Sequence, residues 1–267
     1  ILQLWHMGRL VHRSFNEGRP GVSSSATTGP GHAYTPTGKQ PLEEARALDL
    51  NEIPRLIGDY VHAAENAKTA GFDGVQIHSA NGYLLDQFLR DNSNFRDDDY
   101  GGSIENRARF LIEAVTAAAQ EIGSGKVGVR LSPVSPVNDS HESNPQPLFE
   151  YVVSQLNKLG LAYIHVVEGH TGGPRDNAPF DYASLRKRFS GTYIANNGYD
   201  FKLATEILDQ NKADLIAFGK LFISNPDLVE RLKLGAPLNP FDKMTFYGGG
   251  AKGYTDYPAL GQQAAAE

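Results

Sequence analysis

The chain has 267 residues, of which 40% are hydrophobic, with a net charge of −6 and no cysteine. This length is enough for one large α/β domain, and an acidic balance without a basic block argues against a nucleic-acid or anionic-membrane surface. The lack of cysteine excludes disulfides, thiolate metal ligands and a cysteine nucleophile, and it is typical of a reducing, cytoplasmic compartment.

Strand-like and helix-like runs alternate along the chain. Strands are predicted at 1–5, 74–79, 126–132, 162–168, 192–198 and 213–219. Helices are predicted at 51–70, 104–122, 147–159, 180–189, 200–210 and 226–235. Residues 10–50, rich in Gly, Pro, Ser and Thr, form one long excursion. The alternation predicts a parallel sheet, and without repeats or a low-complexity linker residues 1–267 are expected to form a single domain.

The sequence lacks the patterns of a membrane span, a metal site and a serine hydrolase. No run approaches the ~20 apolar residues of a membrane span, and ILQLWHMGRLVH carries charges too early for a signal-peptide core. The eight histidines show neither HExxH nor facial-triad spacing, and no GxSxG elbow occurs. We therefore expect a cytoplasmic protein without a metal site or a serine-hydrolase triad.

The most informative segment is residues 78–107, HSANGYLLDQFLRDNSNFRDDDYGGSIENR. His78, Asn81 and Tyr83 follow FDGVQI, which has the pattern of a buried parallel strand, and ligands gather at the carboxyl ends of such strands. Two neutral hydrogen-bonding groups followed by a phenol suit the polarisation of an oxygen and the supply of a proton. Singly, His78 and Tyr83 also fit packing roles, and residues 91–107 also fit a solvated loop before a helix capped at Ser103.

As a whole, this segment resembles the signature of the Old Yellow Enzyme family of FMN-dependent ene-reductases. The resemblance extends from Ile1 to Leu260 and implies a (β/α)8 TIM barrel, which typically needs about 250 residues. Only six strands are predicted, and in the family the strand carrying QLWH is the third. We therefore expect about six of the eight strand–helix units, in an FMN-binding barrel that lacks the first two.

The resemblance implies a reaction and its catalytic residues. His78 and Asn81 bind the carbonyl or nitro oxygen of an activated alkene, reduced FMN supplies hydride, and Tyr83 protonates the α-carbon as general acid. The implied enzyme is an FMN-dependent oxidoreductase that reduces α,β-unsaturated carbonyl or nitro compounds with NAD(P)H.

A substrate pocket is implied by three aromatic residues and one loop. Phe246 and Tyr247 match a pocket-lining pair of the family, and Trp5 with the loop 168–176 is expected to shape the mouth.

Cofactor contacts are implied on two strands. Gln3 matches the Gln of QLW that bonds the pyrimidine edge of FMN, for which an amide offers both a donor and an acceptor. Arg130, at the end of KVGVR, is implied to face the N1–C2 carbonyl region, which becomes anionic on reduction. A cation at the end of an apolar strand is costly unless it is paired, and a salt bridge to a neighbouring carboxylate is the alternative role for Arg130.

The phosphate of FMN is expected at the loops NNGYD (196–200) and FGKLFISNPDL (218–228), which follow the seventh and eighth barrel strands. Asn197 and Gly198 belong to the first loop, and Gly219 and Lys220 to the second. The glycines let backbone N–H groups approach closely. The family has FGR where this chain has Lys220, which keeps the charge and loses the bidentate fork.

Two other interpretations remain open from the sequence. One is a non-catalytic or partner-dependent flavin barrel that folds only with a second chain or segment carrying the missing strands. The other is a different FMN barrel, such as an α-hydroxy-acid oxidase, which the HxxN…Tyr pattern disfavours.

Overall fold

Parallel strands form the centre of the structure, a computed structural model that describes residues 1–247 and 249–262. The strands of these residues are β1 (Leu2–Leu4), β2 (Val22–Ser23), β3 (His32–Thr35), β4 (Gly38–Pro41), β5 (Arg46–Ala47), β6 (Val75–Ser79), β7 (Val127–Leu131), β8 (Tyr163–Val167), β9 (Thr192–Asn196) and β10 (Leu215–Ala217). Six of them pair in parallel in the order β1-β6-β7-β8-β9-β10. All six predicted strands are confirmed to within one or two residues at either end.

Helices follow most strands of this sheet, as in an α/β barrel. In the described residues they are α1 (Ile53–Thr69), α2 (Leu84–Leu89), α3 (Ile104–Ile122), α4 (Pro145–Asn157), α5 (Tyr182–Arg188), α6 (Phe201–Asp209), α7 (Lys220–Ser224) and α8 (Leu228–Leu234). The six predicted helices are confirmed, whereas α2 and α7 were not predicted. The predicted cap of α3 is confirmed, since the Ser103 hydroxyl accepts a hydrogen bond from the N–H of Asn106 at 3.3 Å.

The two faces of each strand carry different chemistry. On β7, Val127, Val129 and Leu131 are fully buried in the core beneath the helices. Gly128 and Arg130 alternate with them and therefore face the interior of the barrel. A side chain at Gly128 has no room, because a Cβ would lie 2.2 Å from the ring of Tyr163 on β8.

The part of the long excursion around β2 packs against α2, whereas β3 and β4 are largely exposed. The strands of the excursion form two small pairs, β2 with β5 and β3 with β4. The Ser23 hydroxyl donates to Gln87 Oε1 at 2.8 Å, and the Ser24 hydroxyl donates to the carbonyl of Ser93 at 2.7 Å. Ser93 and Asn94 are buried, so the interpretation of residues 91–103 as a solvated loop is wrong for this part.

The sheet remains open within the described residues. β1 and β10 each pair with a single neighbouring strand, so each leaves one row of backbone groups without a partner strand. Ile1 and Leu215 at these two edges are 59% and 54% exposed. The architecture is a partial barrel of TIM type, as predicted.

Candidate active site

A sharp turn after β6 brings the predicted catalytic residues to one place. Asn81 and Gly82 both have left-handed backbone conformations, with φ of 59° and 73°, which reverse the chain before α2 begins at Leu84. Glycine is required at position 82, because a Cβ there would lie 2.9 Å from Cβ of Asn138. The turn places Tyr83 beside His78, with ring centroids 5.4 Å apart.

Trp5 completes an aromatic cluster with these two rings. Its indole lies edge-on to Tyr83 at 4.7 Å between centroids and edge-on to His78 at 6.1 Å. Trp5 is 52% exposed, so it forms one wall of the site and leaves the site open to solvent on that side. The structure thus brings Trp5, His78 and Tyr83 together, and Asn81 lies in the turn between His78 and Tyr83.

His78 is neutral in this environment. Burial, together with the smaller effect of the nearby charge of Arg130, lowers the pKa of His78 to about 3. Nδ1 of His78 is buried and has no hydrogen-bond partner among the described residues. A neutral imidazole offers one N–H donor to a ligand without adding a positive charge.

Tyr83 keeps its proton at neutral pH. Burial raises the pKa of Tyr83, while a hydrogen bond from the Asn138 side chain opposes this rise. The Tyr247 phenol has a smaller effect in the same direction as burial on the pKa of Tyr83. Tyr247 is almost fully exposed and contacts the ring of Phe246 at 6.4 Å between centroids.

Asn81 is held by groups from the loops that follow β7 and β8. Its backbone N–H donates to the Ser132 hydroxyl at 2.7 Å, and its carbonyl accepts from Asn138 Nδ2 at 2.9 Å. Oδ1 of the side chain accepts from the Thr171 hydroxyl at 2.6 Å. The Nδ2 amide is the remaining hydrogen-bonding group of this side chain, and it is a donor.

A row of polar side chains crosses the interior below the turn. His78, Arg130 and His165 are register neighbours on β6, β7 and β8. Gln76 lies two residues before His78 on β6, next to Gln3 on β1. The side chain of Gln3 donates to Gln76 at 2.6 Å, and Gln76 donates to Nδ1 of His165 at 3.2 Å. An all-apolar packing would be expected in a filled TIM-barrel interior, so this polar lining indicates a ligand site.

Arg130 is the charged member of this row. Burial lowers its pKa, and it has no ion pair within the described part of the chain, so the salt-bridge alternative is not found. Its Nη2 donates to Asn196 Oδ1 at 3.1 Å, while Nε is buried without a partner. A buried cation in this state is costly and favours an anionic or strongly polar ligand.

These residues fit FMN. Three buried atoms without partners, Nδ1 of His78, Nε of Arg130 and Nε2 of His165, line the interior of the sheet. The exposed amide of Gln3 stands beside them on β1 with a donor and an acceptor. A heteroaromatic ring system with carbonyl and N–H groups satisfies such atoms, and a ring that becomes anionic on reduction suits Arg130.

The predicted phosphate residues lie together at the ends of β9 and β10. Asn197 and Gly198 have φ of 96° and 67°, and the Lys220 ammonium donates to the carbonyl of Gly172 at 3.3 Å. The Asn197 side chain is fully engaged, since Oδ1 accepts from Gly172 N–H and Nδ2 donates to the carbonyl of Glu168. Asn197 therefore has only its backbone available for a phosphate.

Sequence reasoning missed several residues of this site. They are polar groups that support or extend the predicted set: Gln76, Ser132, Ser135, Asn138, His165 and Thr171. The sequence does contain a signal that Gln76 and His165 have a functional role. Each is a polar residue within an otherwise apolar strand, Gln76 in GVQIH and His165 in AYIHVV. The loop residues carry no such signal.

The described residues form neither a membrane-spanning helix nor a metal-binding cluster. None of the described helices is both long and apolar enough to cross a bilayer. Within residues 1–247 and 249–262 there is no cluster of three or more His, Asp or Glu side chains arranged to hold a metal ion.

Comparison with known proteins agrees with this geometry. The model of the NADH:flavin oxidoreductase / NADH oxidase family matches residues 1–239. Putative 12-oxophytodienoate reductase 11 of Oryza sativa subsp. japonica is 43% identical over 263 residues, which cover 97% of this chain and 72% of the relative. 12-oxophytodienoate reductase 2 of Arabidopsis thaliana is 40% identical over 271 residues, covering 97% and 70%.

Solved structures give the same result. An Old Yellow Enzyme homologue from Zymomonas mobilis superposes with a TM-score of 0.93 at 43% identity, covering 97% of this chain and 73% of that one. Morphinone reductase in complex with tetrahydroNAD superposes with a TM-score of 0.90 at 43% identity, covering 97% and 72%. The chain belongs to the NADH:flavin oxidoreductase / NADH oxidase family and is an Old Yellow Enzyme-type oxidoreductase, which reduces activated C=C bonds with NAD(P)H and FMN.

Proposed function

We propose that His78 and Asn81 bind the oxygen of an α,β-unsaturated carbonyl or nitro compound and that Tyr83 protonates its α-carbon. The observation that carries this proposal is the convergence of a neutral imidazole, an amide donor and a protonated phenol at the turn after β6. Bound FMN, once reduced by NAD(P)H, supplies the hydride that is added to the β-carbon.

His78 and Asn81 act on the charge that develops at the substrate oxygen. Two neutral donors stabilise an enolate-like oxygen more strongly than the ground-state carbonyl, because the negative charge builds as the β-carbon accepts hydride. His78 stays neutral throughout, since burial and Arg130 hold the pKa of its imidazole at about 3.

Tyr83 acts on the α-carbon. Its ring lies edge-on to the indole of Trp5, which fixes the plane of the phenol that delivers the proton. A neutral phenol with a raised pKa is a weak acid. It therefore gives its proton to a strongly basic carbanion and not to weaker bases. Trp5, Phe246 and Tyr247 form the walls of the substrate pocket in this proposal.

Other residues hold the cofactor. Gln3 would bond the pyrimidine edge, and Arg130 would balance the negative charge near the N1–C2 carbonyl. Backbone N–H groups at Asn197, Gly198 and Gly219 and the ammonium group of Lys220 would hold the phosphate. Support comes from the unpaired Nε of Arg130 and from the proximity of Lys220 to the β9 loop through Gly172.

We further propose that additional polypeptide, from a longer form of this chain or from a partner, pairs with the open edges at β1 and β10. Both edges are apolar and unpaired in the described residues, and the chain spans about 70% of the relatives' length. Uncovered edges of this kind favour aggregation. The continuous core, whose members lie between Leu2 and Phe218, supports the proposal of a single domain, and the lack of cysteine supports a cytoplasmic location.

Rapid mixing without oxygen tests the proposal. When FMN-loaded protein is mixed with NADPH or NADH, the flavin is expected to be reduced and to stop absorbing blue light. A second mixing with 2-cyclohexen-1-one is expected to reoxidise the flavin, to restore this absorption and to form cyclohexanone. A flavin that is reduced by the nicotinamide and then remains reduced in the presence of the enone contradicts the proposed substrate class.

A further inference from the structure

The side-chain amide of Asn81 has a defined orientation in this structure. Asn81 is only 7% exposed, and its Oδ1 accepts a hydrogen bond from the Thr171 hydroxyl at 2.6 Å. An amide group has an acceptor on one side and two donors on the other. With Oδ1 engaged by Thr171, the donor side of the amide is the one available to a substrate oxygen.

Ser135 sets the direction of the Thr171 hydroxyl. The hydroxyl oxygens of Ser135 and Thr171 are 2.8 Å apart, and the Thr171 backbone N–H donates to the Ser135 oxygen at 3.1 Å. Thr171 has a single hydroxyl proton, which it donates to Asn81, so the Ser135 hydroxyl donates to Thr171. The two hydroxyls and the amide form one chain of donors that runs toward Asn81.

The backbone of Asn81 is fixed independently of this chain. Ser132 and Asn138, both after β7, bind its N–H and its carbonyl and hold the left-handed conformation. Neither contacts the side-chain amide in these bonds. The loop after β7 therefore determines where Asn81 is, and Thr171 determines which way its amide faces.

Thr171 is itself held in place by the loops at the phosphate end. The next residue, Gly172, donates its N–H to Asn197 Oδ1 at 3.0 Å, and its carbonyl accepts from Lys220 Nζ at 3.3 Å. Asn197 also binds the carbonyls of Glu168 and His170 through Nδ2. These bonds restrain the loop on both sides of Thr171, as precise orientation of a neighbouring side chain requires.

We propose that Thr171 is a positioning residue, which turns the Nδ2 donor of Asn81 toward the substrate oxygen. This inference rests on the proposed binding of that oxygen by Asn81. Without the Thr171 hydroxyl, the amide is free to rotate and to present Oδ1, whose lone pairs repel an enolate oxygen. Loss of one oxyanion donor costs about 10²–10³ in rate, so partial loss of its orientation is expected to cost about tenfold in binding of an enolate mimic.

A phenol titration of FMN-loaded protein tests this role by binding instead of turnover. 4-Chlorophenolate resembles the enolate, and its charge-transfer band with oxidised flavin reports its affinity. Thr171→Val has nearly the shape of threonine without the hydroxyl, and it is expected to bind 4-chlorophenol about tenfold more weakly. Thr171→Ser retains the hydroxyl and is expected to restore wild-type affinity, while FMN affinity is unchanged in both variants.

Two substitutions at Asn81 separate the possible failures. Asn81→Asp keeps an acceptor for Thr171 and replaces the donor with a carboxylate oxygen, so phenolate affinity should fall at least as far as in Thr171→Val. If Asn81→Leu leaves phenolate affinity unchanged, the proposed role of Asn81 is wrong, and the role of Thr171 is wrong with it. If Asn81→Leu weakens binding while Thr171→Val has no effect, or if Thr171→Ser is as weak as Thr171→Val, only the inference about Thr171 is overturned.

Discussion

The phenol ring of Tyr83 lies edge-on to the indole of Trp5, with ring centroids 4.7 Å apart and planes at 78°. An edge-to-face contact of this kind fixes the plane of the phenol without using its hydroxyl. The hydroxyl is left to Asn138, whose hydrogen bond partly offsets the rise in pKa that burial produces. Orientation and acidity of Tyr83 are thus controlled by different neighbours.

Tyr83→Phe is expected to separate the two half-reactions. The variant keeps the ring contact with Trp5, binds FMN and accepts hydride from NAD(P)H at a rate near that of the wild type. Reoxidation by an enone is expected to slow about 10²–10⁴-fold, because the proton donor is lost. Stopped-flow absorbance measures both steps, and equal losses in both would count against a role in proton delivery.

Replacing both His78 and Asn81 by Leu is expected to abolish the charge-transfer band that phenols give with oxidised flavin. Phenolate oxygen needs the two donors to be held over the ring. A matched control is His62→Leu with Asn66→Leu, an exposed His/Asn pair on α1 whose side chains lie 3.1 Å apart. A band that survives with unchanged affinity in the His78/Asn81 variant would show that the pair is structural.

Acid should destabilise the protein through its buried histidines. Burial, followed by repulsion from Arg130, lowers the pKa of both His78 and His165 to about 3. Since the unfolded-state pKa is near 6.5, the unfolded chain binds more protons between about pH 6.5 and 3. The contribution of these two neutral histidines to the free energy of unfolding is therefore fully present above pH 6.5 and is lost as the pH falls toward 3.

Urea unfolding between pH 7 and pH 4 measures this effect. The stability difference between wild type and His165→Gln is expected to shrink as pH falls, by at most about 1.4 kcal/mol per pH unit for one group. His141→Gln serves as the control, since His141 is exposed on a surface loop. A difference that stays constant with pH would contradict a depressed pKa for His165.

The ammonium group of Lys220 is expected to contribute to phosphate binding. Lys220→Met should weaken FMN binding about tenfold, and Lys220→Arg should tighten it, because a guanidinium offers a bidentate fork. Riboflavin, which lacks the phosphate, should bind equally to all three forms. Lys158→Met is the control at an exposed lysine after α4. Equal effects on FMN and riboflavin would place Lys220 outside the phosphate site.

Covering the open edges at β1 and β10 is expected to stabilise the sheet. A peptide with the sequence of the first two strand–helix units of a relative should raise the Tm and tighten FMN binding, since both edges are unpaired in the described residues. A scrambled peptide is the control. A chain that is monomeric and binds FMN tightly without the peptide, and does not respond to it, would contradict the proposal about the edges.

The sheet could be predicted from the sequence because its strands are short apolar runs bounded by glycine and by amphipathic helices. KVGVRLS and AYIHVVE carry this pattern, and β7 and β8 lie within them. The short α2 was not predicted, because its residues are buried on all sides and show no amphipathic period. Helix α7 has only five residues, too few for a periodic signal.

The part of the candidate site that could be predicted consists of residues that lie close together in the sequence. His78, Asn81 and Tyr83 lie within one turn after one strand, so their proximity follows from the sequence. The contact between Asn81 and Thr171 joins residues 90 positions apart in a hydrogen bond between loops. Nothing in either local sequence indicates this contact, since it depends on how the ends of β6 and β8 are placed on either side of β7 in the sheet.

The visible spectrum of the purified protein after incubation with FMN and removal of free flavin tests the central claim, that this sheet holds a flavin beside His78, Asn81 and Tyr83. Measured with and without the covering peptide, the spectrum is expected to show bound FMN in both cases, at a stoichiometric level when the peptide is present. Addition of 4-chlorophenol is expected to produce a long-wavelength band, which is absent when His78 and Asn81 are both replaced by Leu. A protein that stays colourless under both conditions would contradict the assignment of a working flavin site and favour a non-catalytic barrel.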